Sequence, residues 1–284
     1  MNLLTNARSN KLKYVEYCTK NNVPIFSQPF WLDIVTQENK MDWNVCLIEK
    51  NNEIIGTMPY CTSTYLKKFK QILMPPLTPY LGPVIKYPDT KKKYSLRSFE
   101  KEIFDQVISQ LPKVDFMSQD FGIEIKNWLP FYWNNFKQTT KYTYIITQKS
   151  ENEDFFASIK SNIRREIKKA KKSLSVRNGT INELFKLISC TFERQKIKNP
   201  ISQSLIQQLV KATTDKGLGE IIIAYDDKGR LHAGAFIVWD KNKSYYLIGG
   251  GDPELRNSGG HSLTLWTALI NSLKQNRDFD FEAQ

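Results

Sequence analysis

Cysteine and histidine are scarce in this 284-residue chain. The four cysteines, Cys18, Cys46, Cys61 and Cys190, stand far apart and form no CxxC pair, which argues against both a zinc pattern and a disulfide framework. With only His232 and His261 to add to them, the ligand sets that zinc requires are missing, and no metal site is expected. Long apolar runs are missing as well. No stretch approaches the roughly 18 uninterrupted apolar residues of a membrane-spanning helix. The opening MNLLTNARSNKLKYVEY has neither the apolar core nor the small-residue cleavage site of a secretory signal. A cytoplasmic protein is expected.

Acidic residues are outnumbered: 41 Lys and Arg face 29 Asp and Glu, a formal charge of +12. That excess favours polyanionic partners, such as nucleotide cofactors, nucleic acid or anionic lipid, and is also what a solvated basic surface carries. What is present otherwise suits a packed globule. Hydrophobic residues make up 40% and aromatics 12%, and the length accommodates two domains of ordinary size.

Along the chain, Ile25 to Leu32 is aromatic-rich and broken by Pro29, which predicts a turn into a short helix. Val45–Ile48 and Ile54–Tyr60 flank Lys50-Asn51-Asn52 as a hairpin. The proline-rich stretch Met74–Pro83 cannot be a helix or a central strand. Leu96, Phe99, Ile103, Phe104, Val107, Ile108 and Leu111 recur at helical spacing over Ser95–Leu111, and Val114–Met117 reads as a strand. After the polar run Lys137–Lys141, a second unit begins with the strand Tyr142–Thr147. A long helix is expected from Asp154 to about Leu174, with further helices near Ile181–Gln195 and Ile201–Thr214. Strands at Glu220–Tyr225, Ala233–Trp239 and Ser244–Ile248 follow, then a helix over Ser262–Leu273 and a strand starting at Phe279. The order strand, helices, three strands, helix, strand describes an α+β fold with a mixed, mostly antiparallel sheet flanked by helices.

The chemistry-bearing feature is the turn Arg256-Asn257-Ser258-Gly259-Gly260-His261, which follows a strand and opens a helix. Free backbone N–H groups and the positive end of the helix dipole point outward there, a ready site for an anion. Glycines let a pyrophosphate approach the backbone, and Arg256 adds a charge. The alternative is a helix start that uses glycine only for a tight turn.

With the strand order, this turn resembles the acyl-CoA pyrophosphate loop of GNAT acetyltransferases, although His261 fills the last small position. Phe26–Trp31, Pro79–Pro83, Ser161–Ala170, Gly249–Trp266 and Phe279–Glu282 extend the resemblance to the tandem-GNAT group that includes the FemAB-type peptidoglycan aminoacyltransferases. The resemblance implies two GNAT-like domains, 1–140 and 141–284, with a substrate channel between them. It implies transfer of an acyl group from acetyl-CoA or another acyl-CoA to an amine of a sugar or cell-envelope precursor, or alternatively aminoacyl transfer from tRNA. It implies substrate contacts at Trp31, Tyr80, Arg164 and Tyr246, with Arg164 placed for acceptor phosphates. A lysine that accompanies the pocket in those enzymes would fall near Val35, which is not basic.

Two features bear on partners and catalysis. Lys160, Arg164, Arg165, Lys168, Lys169, Lys171 and Lys172 crowd one helical segment, suited to phosphates of tRNA or of a nucleotide-linked sugar and equally to a solvated face. The net charge adds peripheral contact with an anionic membrane; DNA is not among the expected partners. Amine attack on an activated carbonyl needs a base, for which Glu282 is the candidate ahead of Asp252, Glu254 and His261, and donors for the carbonyl oxygen from the backbone of Tyr246–Gly251. A GNAT domain is expected to continue past Phe279–Glu282 with a helix and two strands, so the C-terminal domain reads as incomplete, with an open sheet edge and a catalytically inactive scaffold as the third alternative.

Overall fold

The computed structural model describes residues 3–90, 92–148, 155–194 and 196–282. The chain divides into two compact units, Met1–Thr140 and Lys141–Gln284.

The first unit runs α1 (Leu3–Lys20), a 3-10 turn (Ile25–Ser27), α2 (Pro29–Glu38), β1 (Asp42–Lys50), β2 (Glu53–Tyr65), β3 (Phe69–Ile72), β4 (Val84–Ile85), α3 (Lys93–Gln110), β5 (Phe116–Met117) and α4 (Leu129–Trp133). Pro29 stands in the first turn of α2, where its missing N–H is not needed. The β1–β2 hairpin closes through Asn51 and Asn52 at φ of 51° and 63°, left-handed values that asparagine tolerates. Alternation along β1 sends Val45 and Leu47 to one face with Tyr14, Leu32, Trp43 and Cys61, and Cys46 and Ile48 to the other with Met58, Ile103 and Val107. Helices cover both faces, and the proline-rich stretch stays irregular between β3 and β4. Helix α1 escapes sequence reading because its apolar residues form no single stripe. Tyr14 is buried while Leu12 and Val15 are exposed.

The second unit runs β6 (Ile145–Ile146), α5 (Phe155–Ser158), α6 (Ser161–Ala170), β7 (Leu174–Asn178), α7 (Ile181–Arg194), α8 (Gln203–Asp215), β8 (Gly219–Asp226), β9 (Leu231–Trp239), β10 (Lys243–Gly251), a 3-10 turn (Arg256–Ser258), α9 (Gly260–Lys274) and β11 (Asp278–Asp280). Its sheet has the order β6-β11-β10-β9-β8-β7. Among the described residues β10–β11 is its parallel pair, joined through the α9 crossover. Helix α9 lays Ala268, Leu269 and Leu273 over Ile222, Ala235, Ile237 and Phe279. Helix α7 starts on a capping box: the Thr180 N–H donates to Glu183 Oε2 at 2.9 Å, and the Glu183 N–H donates to Thr180 Oγ1 at 3.3 Å. The Arg177 guanidinium beside it holds the Glu183 carboxyl down to about 2.

Two expectations are corrected. The long helix from Asp154 to Leu174 is broken: α5 ends at Ser158, Lys160 is extended at ψ 136°, and α6 stops at Ala170. Beyond Ala170 the residues Lys171-Lys172-Ser173 give a helix nothing to bury, whereas Leu174 and Val176 can alternate against β8 as a strand. Asp154 and Gln195, the expected limits of two helices, lie outside the described residues. Second, the sheet edge expected to be open beside Phe279 is covered. Phe279 and Asp280 pair with Ile146 and Ile145 of β6, and the Phe281 N–H donates to the Tyr144 carbonyl at 3.0 Å.

Candidate active site

Strands β10 and β11 are paired over only three positions, from Lys243↔Asp278 to Tyr245↔Asp280. Past that point the chain of β11 keeps to β6, while β10 keeps to β9 as far as Gly251↔Ala233. The two parallel strands therefore diverge, leaving a notch between Tyr246 onward and Phe281–Glu282. A bulge falls at the same place. Tyr246 faces Ile237 and Ile248 faces Phe236, so Leu247 is the extra residue. An N–H fixed in a notch is suited to an oxygen on which negative charge develops.

On the other wall sits Glu282, with φ at 45° and Oε1 buried without a hydrogen-bond partner. Burial pushes its carboxyl up to about 8; Asp280 adds to the shift and Lys243 opposes it. Asp280 and Lys243 are themselves buried. Asp280 accepts hydrogen bonds from the Thr143 hydroxyl and from the Glu282 N–H, which fixes its carboxylate at the start of the notch. A carboxyl that titrates near neutrality can take a proton from an ammonium ion and release it again.

The glycine turn lies beside this notch, linked by Tyr246, whose ring meets His261 edge-on at 6.1 Å. Burial raises the Tyr246 phenol to about 12. His261 is exposed by surface area, yet enough protein surrounds its ring to lower its pKa, with Glu166 pulling the other way. The glycines act differently from the sequence expectation. Gly259 has φ of 79°, and a methyl group there would lie 2.6 Å from the Glu166 carbonyl oxygen, so its bareness admits the α6 backbone rather than a ligand. At Gly260 the same group would lie 2.9 Å from His232 Cβ, and the Gly260 N–H is taken by Ser258 Oγ at 3.2 Å. Glu166 contributes more: its Oε2 accepts from the Ser262 hydroxyl at 2.5 Å, placing a carboxylate at the positive end of α9. Lys169 Nζ donates to the Asn257 carbonyl at 2.7 Å, and Arg256 is exposed. Under the turn, His232 Nε2 approaches Asp226 Oδ2 at 3.3 Å without the alignment of a hydrogen bond. Asp226 is desolvated, yet hydrogen bonds from the Arg230 backbone and guanidinium prevail and hold its carboxyl well below the usual range, which marks it as a hairpin anchor.

The expected substrate contacts separate. Trp31 is fully buried, donates its indole N–H to Thr78 Oγ1 at 3.1 Å and packs edge-on against Phe26, as a core residue does. Tyr80 is half-buried against the same Phe26, at 5.3 Å. In the second unit, Arg164 lies on α6, which packs against α9 and the 256–258 turn, and its buried Nε has no hydrogen-bond partner. Sequence reasoning missed Glu166, Lys243 and Asp280, while Leu247 falls within the expected donor segment Tyr246–Gly251. A charged residue between Phe279 and Phe281 was the visible signal for Asp280; the other two depend on contacts remote in sequence. Among the described residues no group of His, Cys, Asp and Glu could hold a metal ion, and no helix is long and apolar enough to cross a membrane.

A sheet whose neighbouring parallel strands diverge beside a bulge, followed by a helix that starts on a glycine turn, defines an acyltransferase-type domain. Residues 157–281, within the second unit, match the family model described as acetyltransferase (GNAT) domain. The whole chain shares its fold with a solved FemX structure at a TM-score of 0.68 and 13% identity, covering 96% of this chain and 87% of that one. It is also similar to a conserved protein from Bacteroides thetaiotaomicron (TM-score 0.51, 10% identity, covering 89% and 79%). A third similarity, at TM-score 0.51 and 8% identity over 97% and 78%, is to the C-terminal domain of an Agrobacterium fabrum protein described as a lysylphosphatidylglycerol synthetase. A search of curated protein sequences returns no match. In fold the chain is similar to FemX over nearly its whole length, and its second unit carries the match to the GNAT domain model.

Proposed function

We propose that the second unit transfers an acyl group from an activated donor to an amine of a sugar or cell-envelope precursor. The supporting observation is the β10–β11 notch, with the Leu247 bulge on one wall and Glu282 on the other. The donor carbonyl lies in the notch with its oxygen toward Leu247. Glu282 takes the ammonium proton; the freed amine attacks the carbonyl carbon, a C–N bond forms, and the bond to the donor breaks, so that the leaving thiol or hydroxyl departs with a proton. Acyl-CoA is the donor class that the GNAT fold takes generally. Its pyrophosphate would meet Arg256 and the start of α9, provided that the Glu166 carboxylate swings aside.

That carboxylate favours a second reading, aminoacyl transfer from tRNA, in which no small pyrophosphate needs the helix start. Lys168, Lys169, Lys171 and Lys172, exposed on and after α6, would follow the tRNA backbone, and the unpartnered Arg164 Nε awaits an acceptor oxygen. Calorimetry and product assays with acetyl-CoA, a short acyl-CoA panel and aminoacyl-tRNA test both. Binding of acyl-CoA that Arg256→Ala weakens supports the first donor. Salt-sensitive tRNA binding lost in Arg164→Ala and Lys168→Ala supports the second. No transfer from either donor to any amine overturns the function.

A further inference from the structure

The hairpin joining β2 to β3 ends in Thr64-Tyr65-Leu66-Lys67-Lys68-Phe69-Lys70, and every one of these residues is exposed. Cross-strand partners share a face of a sheet. Tyr65 pairs with Phe69, while Gln71 pairs with Ser63 on one side and Phe116 of β5 on the other, so Tyr65, Phe69 and Phe116 line one face. Ile72 and Met117 point the opposite way, into the core. Nearer the middle of β2 the aromatic face carries Cys61 under Tyr14, Leu32 and Trp43. At the hairpin end that cover is gone: Tyr65 is 58%, Phe69 39% and Phe116 52% exposed, and Leu66 at the tip 70%.

The tip backbone is as unusual as its exposure. Leu66 and Lys67 have φ of 50° and 57°, and the Lys68 N–H closes the turn on the Tyr65 carbonyl at 3.1 Å. The preceding turn of the same sheet puts Asn51 and Asn52 in left-handed conformations, the residue type suited to them. A branched apolar leucine is strained in that conformation, and here it is exposed as well. Nothing in the hairpin itself offsets either cost. Three lysines and no acid lie between Thr64 and Lys70; the nearby acid, Asp115, accepts from the Lys70 backbone N–H at 2.8 Å.

We propose that this hairpin end docks on an anionic lipid bilayer, with Leu66 and the aromatic rings entering the interfacial zone and Lys67, Lys68 and Lys70 meeting headgroup phosphates. Apolar and aromatic tips ringed by lysine match the chemistry of that interface. A second copy is a poorer occupant, because the whole chain carries a formal charge of +12 and would repel its like. The inference does not rest on acyl transfer.

The test is co-sedimentation of the full chain with vesicles of phosphatidylcholine alone or mixed with phosphatidylglycerol, at low and high salt. Wild type should bind the anionic vesicles and release in salt. Leu66→Asn with Lys67→Gly relieves the turn, so it should melt no lower than wild type while losing about tenfold or more in vesicle binding. Replacing Lys67, Lys68 and Lys70 by Gln should cost about fivefold per lysine. The proposal is overturned if both tip variants bind as wild type, if neutral vesicles bind equally well, or if only Gln substitutions at Lys168, Lys169, Lys171 and Lys172 abolish binding. It is also overturned if the tip variants alter self-association or RNA binding and leave vesicle binding intact.

Discussion

Among the described residues, the buried polar side chains of the first unit are neutral hydroxyls, Ser27, Thr36, Thr57 and Thr78, whereas the second unit also buries Asp226, His232, Lys243 and Asp280. Both units layer helices on a largely antiparallel sheet, so the difference is not one of architecture. Burying an ionisable group costs several kcal/mol unless partners compensate. Asp226 is compensated by its own hairpin, and Asp280 by Thr143 and the Glu282 backbone. Glu282 is left with an orphaned oxygen. The first unit is thus built for packing and surface, and the second keeps an unsatisfied carboxyl where two strands part.

The largest effect expected from breaking this contrast is on turnover. Glu282→Gln should lower kcat for acyl transfer by roughly 10²–10⁴. The wild-type rate should rise with pH through about 8, and Asp280→Asn should move that midpoint down because Asp280 helps to raise it. A pH-independent wild-type rate would remove Glu282 from the mechanism.

Next comes stability in the first unit, where Trp31→Ala should cost about 3–5 kcal/mol in urea unfolding through loss of its buried indole. Its specific activity per folded molecule should stay unchanged if Trp31 serves the core alone, and a raised KM instead would support its role in substrate binding. Gly259→Ala should cost about 1–3 kcal/mol, since a left-handed residue acquires a methyl group against the Glu166 carbonyl. An unchanged melting temperature would show that α6 is free to move.

Smaller and pH-dependent is the penalty of Glu282 itself. Its folded pKa is raised from 4.5 to about 8, so the unfolded chain holds fewer protons between those values and stability falls as pH rises from 4.5 through about 8. Glu282→Gln should therefore raise the melting temperature by roughly 2–4 °C at pH 9 and change it little at pH 4. The smallest effect is on donor binding. Glu166→Gln should strengthen acyl-CoA binding by about two- to fivefold if that donor uses the start of α9, by removing a competing charge from the helix dipole. No change in calorimetry would move the donor phosphates elsewhere.

Much of the fold was legible in the residues. The spacing of Ile103, Phe104 and Val107 identified α3, the runs Ile221–Ile223 and Ala233–Val238 identified β8 and β9, and Asn51-Asn52 identified the first hairpin. The turn Arg256–His261 was located correctly at a helix start, but the reason for its glycines was not. Gly259 is bare because a carbonyl remote in sequence, that of Glu166, packs against it. The full burial of Trp31 was not legible, because a tryptophan near a proline turn gives no sign of which way it points.

The sequence by itself determined most of the helices and strands, with α1, the break after Ser158 and β7 as exceptions, because apolar periodicity and turn chemistry are local properties. Only the tertiary structure decided that β10 and β11 part after Tyr245 and Asp280, that Leu247 is left outside the ladder, and that Glu282 and Glu166 stand where they do. Register, divergence and desolvation are set by neighbours far away along the chain, and a carboxylate's chemistry depends on those neighbours more than on its own identity.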